Sequence, residues 1–410
     1  MKKGFLSIST VLVITFLCWL FPITSSQSLF SFMRLAGALS IAGFTCTFFI
    51  AGRFRLLDKL FNGLDKAYIF HKWIGLSSVV LVIAHLIILF FARASRQSDI
   101  IKWEIVAMSS LILFVLLALV SIVAKRMRYE VWKTIHKFMI IPFSLGVYHY
   151  YDTSRTPFAF NAFNIWMHIL NIVGIVCAIY IVFFYEKTAF PYKYQVSSVK
   201  FVAKNTFEIT GQAMDKHLSY QPGQFIFFKI PNGSSKISSR PITISNTPND
   251  RTIQLTIKSL GDHTAKLMET IKNGDEFALT TAHGMFDYKR GSNHQLWLAG
   301  GIGIAPFRSF YKSPIPHDFS INLFYAYYGD EGAYLDELKN LDKPNLCIHL
   351  LNSNLEGFLT AEKILSVTHI ETALDVFFCG PKEMLDSLRK DFRHNGITAK
   401  FHYEEFTFGR

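Results

Sequence analysis

The chain predicts a multi-domain fold: a six-helix transmembrane bundle, then an antiparallel β-barrel domain and an α/β domain built on a parallel sheet. Three observations lead there. Residues 1–190 are a series of apolar runs parted by short polar breaks, and residues 191–410 alternate short strands with turns and helices. Basic charge is concentrated in the first half, with 18 Lys+Arg against 7 Asp+Glu, while the second half holds 24 against 23. With 50% hydrophobic and only 18% charged residues among 410, the chain is not intrinsically disordered, and its length and hydropathy argue against a single soluble domain. A nucleic-acid reader carries its basic charge on a solvated face, so no nucleic-acid partner is expected. Cys18, Cys46, Cys177, Cys347 and Cys379 are scattered without a CxxC pair, which points to neither a disulfide framework nor a zinc site.

The apolar runs are Phe5–Phe21, Leu35–Ala51, Ala67–Phe91, Ile105–Ala124, Ile135–Tyr151 and Ile165–Tyr185. Each approaches the roughly 20 residues that cross a bilayer. Six crossings return the chain to its starting side. With a cytoplasmic N-terminus, the inner segments carry Lys2, Lys3, Arg53, Arg55, Lys59, Lys66, Lys72, Lys125, Arg126, Arg128, Lys133, Lys137 and Lys187. The outer segments carry only Arg34, Arg93, Arg96, Lys102 and Arg155, as the positive-inside rule requires. A multi-pass plasma-membrane protein with a cytoplasmic C-terminal half is expected. Residues 1–26 also fit a cleaved signal peptide, which leaves the later topology unchanged.

Four histidines lie at membrane depth: His71 and His85 in the third span, His136 and His149 in the fifth. Their separations of 14 and 13 residues are about 20 Å along a helix. His71 and His136 therefore share one level, and His85 and His149 another. Two facing imidazoles at one level can ligate one haem iron axially. Fourteen residues keep His85 within about 40° of His71, but thirteen put His149 about 140° from His136. The fifth span must therefore be distorted, and Pro142 supplies a cause. The plainer alternative, polar residues satisfied within a bundle, suits His168, which has no partner at its level. Arg34, at the start of the second span, is either an interfacial anchor or a partner for an anionic group near the outer site.

The soluble half begins near Phe190. Strand-rich Val196–Ile230, Thr252–Ile257 and Glu276–Thr280 read as a barrel over residues 190–291, after a bundle over 1–189. From 292 to 410, buried strands at Gln295–Ala299, Ile321–Tyr327, Leu346–Leu351 and Val376–Phe378 alternate with helices, the clearest being Lys382–His394. Two nucleotide signatures sit here. The first runs through Pro222-Gly223-Gln224-Phe225, Arg240-Pro241-Ile242-Thr243 and Ile257-Lys258-Ser259-Leu260-Gly261-Asp262-His263-Thr264. Arg240 can clamp a phosphate, Thr243 can face a flavin ring, and Gly261 and Thr264 suit a pyrophosphate at a helix start. Lys258 and His263 read equally as solvated surface. The second is Gly300-Gly301-Ile302-Gly303-Ile304-Ala305-Pro306, after a buried strand, with Cys379-Gly380-Pro381 ending another strand at the same edge. Cys379 is either inert and buried or beside a nicotinamide. Phe406, near the chain end, is either core packing or the cover of a flavin face.

These residues carry a resemblance. The two-His third and fifth spans resemble the ferric reductase transmembrane domain, and the soluble half resembles the ferredoxin-reductase superfamily. Together they resemble the NADPH oxidase family, specifically its short prokaryotic members. The resemblance implies two haem b, held by His71 with His136 and His85 with His149, together with FAD and NADPH or NADH. It assigns Tyr220, Pro222, Gln224, Arg240, Pro241, Ile242, Thr243, Ile257, Lys258, Gly261, Asp262, Thr264 and Phe406 to the flavin. It assigns Gly300, Gly301, Gly303, Pro306, Tyr325, Gly380 and Pro381 to the nucleotide. Cys379, Phe406 and Arg34 are placed at the reacting ends. Arg240 stands where the animal oxidases usually have His. The implied activity is electron transfer from cytosolic NAD(P)H to external O2, with superoxide as product and no obligatory regulatory subunit. Metalloreduction, or donation to a quinone or protein partner, uses the same architecture. After the strand ending at Tyr327 no base follows in Tyr328-Gly329-Asp330-Glu331, so poor discrimination between NADPH and NADH is expected.

Overall fold

A computed structural model describes residues 2–20, 29–94, 102–127, 129–154, 156–230, 241–248, 251–368 and 374–404. The chain divides into two compact units, residues 1–188 with 407–410, and 189–406.

The first unit is helical: α1 (Lys2–Leu20), α2 (Leu29–Ala51), α3 (Leu56–Phe61), α4 (Leu64–Ala94), α5 (Lys102–Ile122), α6 (Tyr129–Lys137), α7 (Ile140–Thr153), α8 (Ala162–Ile179) and α9 (Tyr185–Thr188). Among the described residues, five helices are long and apolar enough to cross a membrane. The expected fifth span is instead two shorter helices, α6 and α7, parted at Phe138–Met139. Pro142 explains the break. Proline has no N–H to give the carbonyl four residues back, and its ring crowds that carbonyl. Here that residue is Phe138, whose carbonyl accepts from Ile141 N at 2.9 Å instead. Around the break the bonds tighten to three-residue spacing, Phe138 N to Ile135 O at 3.0 Å and Met139 N to His136 O at 3.1 Å. Ser110 Oγ also donates to Pro142 O at 2.8 Å, tying α5 to α7 just past the break.

Helices α2 and α4 lie close together because small residues face each other. A Cβ on Gly43 would fall 2.1 Å from Ser78 Oγ. Beside them Phe44, Phe114 and Phe143 form an aromatic layer, with the Phe44 and Phe114 rings stacked at 4.1 Å. Phe143 is close to midway in sequence between His136 and His149, as Ser78 is between His71 and His85.

The second unit opens with β1 (Tyr192–Ala203), β2 (Thr206–Ala213), β3 (Phe225–Lys229), β4 (Pro241–Thr243), β5 (Thr252–Lys258), α10 (Asp262–Thr270) and β6 (Glu276–Leu279). The sheet is antiparallel in the order β4-β3-β6-β1-β2-β5, and a bridge between Ile244 and Leu255 joins its two edges into a barrel. Its interior is packed with fully buried Phe207, Ile209, Phe228 and Phe277, each worth about 1.5–3 kcal/mol of apolar burial.

A five-stranded parallel sheet follows: β7 (His294–Gly300), β8 (Ser320–Tyr327), β9 (Leu346–Asn352), β10 (Leu374–Cys379) and β11 (Ala399–His402). The order is β11-β10-β7-β8-β9. Helices α11 (Ile304–Tyr311), α12 (Leu335–Lys339), α13 (Ser353–Glu356), α14 (Ala361–Leu365) and α15 (Lys382–His394) connect the strands. Separate apolar clusters cover the two faces. The chain moves outward from β7 to β9 and then returns to β10 on the other side of β7. The loops after β7 and β10 thus flank the switch point, where open α/β sheets bind ligands.

Barrel and sheet are joined by one buried cation. Arg308 on α11 donates through Nη1 to Glu208 Oε2 at 2.7 Å and Gln254 Oε1 at 2.9 Å, both on barrel strands. Through Nε and Nη2 it reaches the Glu337 carboxylate of α12, both at 3.0 Å. Burial works against the Glu337 charge. The hydrogen bonds and charge of Arg308, with Tyr311 and Lys312, outweigh it and hold this carboxyl below its ordinary value. A depressed folded value stabilises above the unfolded value of about 4.3 and is lost as pH falls through the folded one. The thermal midpoint of the soluble unit, followed in the full chain by near-ultraviolet circular dichroism, should hold steady from neutrality to about pH 5 and fall below about pH 4. Glu337→Gln should remove part of that acid dependence.

Candidate cofactor and electron-transfer sites

The break in the fifth span brings the four membrane histidines into two pairs. The rings of His71 and His136 lie 6.2 Å apart, centroid to centroid, and those of His85 and His149 lie 6.3 Å apart. An imidazole nitrogen binds a transition metal at about 2.0–2.1 Å, so two rings on opposite sides of one metal have centroids about 6 Å apart. Each pair has the spacing at which two imidazoles would hold one metal ion between them.

The rings are also oriented for it. His71 Nδ1 donates to Thr47 O at 3.0 Å and His85 Nδ1 to Met33 O at 2.8 Å. A carbonyl can only accept, so both rings carry their proton on Nδ1 and keep the Nε2 lone pair for a metal. His136 Nδ1 meets Ser121 Oγ at 2.9 Å, and that hydroxyl donates onward to Leu117 O at 2.9 Å. This fixes the same tautomer. Sequence reading missed Met33, Thr47 and Ser121. The first two act through backbone carbonyls, which leave no mark in side-chain identity, though their spacing of 14 residues on α2 equals that of the two histidines on α4.

His168 is satisfied at both nitrogens, by Tyr151 OH at 2.8 Å and Pro157 O at 3.1 Å, in keeping with a structural role. Arg34 is exposed and follows Met33, whose carbonyl holds His85, so it stands at the level of the His85–His149 pair.

In the second unit, Gly223, Thr243, Phe286, Pro306, Phe378, Cys379 and Glu404 line a small cleft. Barrel and sheet therefore present parts of both nucleotide signatures to one space. Around it, Gln224 braces its turn by accepting from Gln221 N and donating to Gly284 O, while Tyr220 OH donates to Thr247 O at 2.8 Å. Pro222 precedes Gly223 in that turn, and Pro241 and Ile242 with Thr243 form β4. Gly261 and Asp262 open α10, where Thr264 Oγ accepts from Leu260 N at 3.0 Å and caps the helix. A Cβ on Gly261 would meet open space, leaving room for close approach.

Other candidates lie elsewhere. Ile257 is buried in the barrel core. Lys258 is paired with Glu331 at 2.7 Å. Tyr325 is wholly buried, its phenol oxygen accepting from Ala333 N at 2.9 Å, so it is a core residue of β8. Arg240 and Phe406 lie outside the described residues.

The glycines at the switch point serve the fold directly. A Cβ on Gly303 would sit 2.0 Å from Cys379 O, and one on Gly300 would meet Pro381 and Met384 within 3 Å. Gly380 packs against Gly300, and Pro381 leads into α15. Gly301 has φ +55°, a conformation that favours glycine, and a Cβ there would point into open space. Only Gly301 is thus both conformationally required and open to a ligand.

Burial, and secondarily the nearby Glu404, push the Cys379 thiol up to about 12. It stays protonated at neutral pH and has little nucleophilicity. With iodoacetamide at pH 8, the exposed Cys347 should label while Cys379 remains unmodified, as peptide mass spectrometry will read. Gly303→Ala should destabilise the soluble unit by about 1–3 kcal/mol, because backbone, not a flexible side chain, occupies the space.

Comparisons with known proteins agree with this division. Residues 36–147 match the family model of the ferric reductase like transmembrane component, and residues 192–295 match that of an FAD-binding domain. Flavohemoprotein A of Dictyostelium discoideum is 26% identical over 211 residues, covering 46% of this chain and 53% of that protein. The carnitine monooxygenase reductase subunit of Escherichia coli (strain K12) is 26% identical over 223 residues, covering 52% and 68%. The chain thus spans between about half and two thirds of these relatives. A ferredoxin NADP+ reductase from Neisseria gonorrhoeae, solved with bound FAD and NADP, aligns with 53% of this chain and 100% of its own at 18% identity and a TM-score of 0.45. The chain thus carries a region similar to the ferric reductase like transmembrane component, followed by a region similar to an FAD-binding domain.

Proposed function

We propose that the chain is a transmembrane NAD(P)H oxidase of the short prokaryotic type, like the streptococcal enzyme. It passes electrons from cytosolic NAD(P)H through FAD and two b haems to external O2, forming superoxide. The observation that carries this reading is the presence of two imidazole pairs, 6.2 and 6.3 Å apart, at two levels of one helical unit in a chain that also holds an FAD-binding domain. When bound, the flavin supplies the change from a two-electron donor to one-electron carriers, which haem iron requires.

The chain's own residues do the rest. His71 with His136, and His85 with His149, would each hold one haem iron, and the group when bound would supply one-electron transfer. Arg34 offers a cation at the level of the His85–His149 pair for the anionic product or for a haem carboxylate. Thr243 and Cys379, which line the same cavity from barrel and sheet, would face the flavin and the nicotinamide. Cys379 acts there as a neutral thiol. The excess of Lys and Arg in the expected inner segments supports a cytoplasmic N-terminus and cytoplasmic nucleotide domains, in a multi-pass protein of the cell membrane.

A second reading, reduction of external ferric or cupric chelates, is favoured by the ferric-reductase likeness of residues 36–147. Purified protein supplied with FAD and NADH should show a reduced b-type haem spectrum and dismutase-sensitive cytochrome c reduction. Dismutase-insensitive transfer to chelates, or to a quinone, would establish the alternatives instead. His85→Ala should lose one haem and most external reduction while flavin reduction by NADH persists; unchanged superoxide output from that variant rules the assignment out. The loop after β8, Tyr328-Gly329-Asp330-Glu331, carries two acids and no base, and its Glu331 pairs with Lys258 at 2.7 Å, which disfavours a bound 2′-phosphate. The kcat/KM values for NADPH and NADH should accordingly lie within about tenfold of each other, or about 1.4 kcal/mol.

A further inference from the structure

The cavity of the soluble unit has walls from two domains. Gly223 and Thr243 belong to the barrel, and Phe378 and Cys379 to the parallel sheet. Hydride transfer requires reacting atoms roughly 3–3.5 Å apart, so whatever sets barrel against sheet sets that distance. Helix α11 touches both. Its Pro306 lines the cavity. Its Ser309 Oγ accepts from Gly223 N at 2.8 Å and donates to Pro306 O at 2.7 Å, tying the flavin-side turn to the helix. Ser313 Oγ meets Thr247 Oγ1 at 2.9 Å.

Between these two serines' side and the sheet stands Arg308. Its forked guanidinium takes Glu208, Gln254 and Ser245 O on the barrel and Glu337 on α12, with its carbon 4.1 Å from the centre of the Tyr334 ring. Tyr334 closes the network, donating to Glu208 Oε2 at 2.7 Å and meeting Thr256 Oγ1 at 2.6 Å. Its backbone has φ +62°, a conformation that non-glycine residues rarely adopt. Two glutamates, Arg308 and Lys312 leave the cluster with no net charge, so nothing in it serves to attract a nucleotide. A planar fork with several donors fixes direction as well as distance, which a lysine cannot reproduce.

We propose that Arg308, acting through α11 and Ser309, is the positioning residue that sets the flavin–nicotinamide distance in this reductase module. It touches neither reactant. This rests on the reading that the cavity joins FAD to NAD(P)H.

The test uses the full-length, FAD-loaded protein under anaerobic conditions, with flavin reduction by NADH and by 4-deuterated NADH followed in stopped flow. Arg308→Lys keeps the charge and loses the fork. It should slow flavin reduction about ten- to hundredfold, weaken the long-wavelength charge-transfer absorbance and raise the deuterium isotope effect, with FAD content and the KM for NADH little changed. Ser309→Ala and Tyr334→Phe, milder changes on the two sides of the clamp, should slow it in the same sense by a smaller factor and decide the matter if Arg308→Lys does not fold. Unchanged hydride transfer in the folded variants, or a loss that follows FAD release alone, overturns the proposal. If the unaltered protein's flavin is not reduced by either nicotinamide nucleotide, it is the reading of the cavity that fails.

Discussion

Each imidazole pair has to be held about 6 Å apart in a medium where a stray polar group finds no water. The bundle meets this by bonding the rings from behind. Two carbonyls of α2 and one serine of α5 take the Nδ1 protons of His71, His85 and His136, and this directs the other nitrogens toward their partners. The close approach of α2 to α4, permitted by Gly43 against Ser78, follows from the same need, since a carbonyl on one helix can reach a ring on the next only at short range. The aromatic layer of Phe44, Phe114 and Phe143 then fills what lies alongside with apolar surface.

In the soluble unit the problem is different, because two separately cored domains must offer their edges to one small space. The parallel sheet brings the loops after β7 and β10 together by its strand order, and they touch so closely that Gly303 meets the Cys379 carbonyl. The barrel contributes the turn at Gly223 and the strand ending at Thr243. Desolvation raises the cost of the charges that link the domains, and the network around Arg308 offsets it by giving every charged group several partners.

Much of this was legible in the residues. The histidine spacings identify two levels, the helical phase demands a distortion between His136 and His149, and Pro142 locates it within a few residues. The parallel strands stand out as buried apolar runs ending at glycine loops. Other parts were not legible, for identifiable reasons. Backbone carbonyls that orient a ring have no residue type. Gly300 and Gly303 look like a phosphate-binding loop, yet the contacts a Cβ would make there are with the neighbouring loop. Residue type also does not disclose that Lys258 pairs with Glu331 or that the Tyr325 phenol accepts from Ala333 N. Arg308 is a lone arginine in a short helix, and its importance arises from partners 29 to 100 residues away.

The interrupted fifth span gives the bundle an asymmetry. His71 and His85 ride on one unbroken helix of 31 residues, so any turn or slide of α4 moves both rings together. Their partners ride on separate arms, His136 on α6 and His149 on α7. The arms are free to be adjusted one at a time. The two sites can therefore drift apart in ring angle and in surroundings as a lineage diverges, each tuned through its own arm against a common shaft. The ring planes already differ in this respect, crossing at 62° in one pair and 90° in the other.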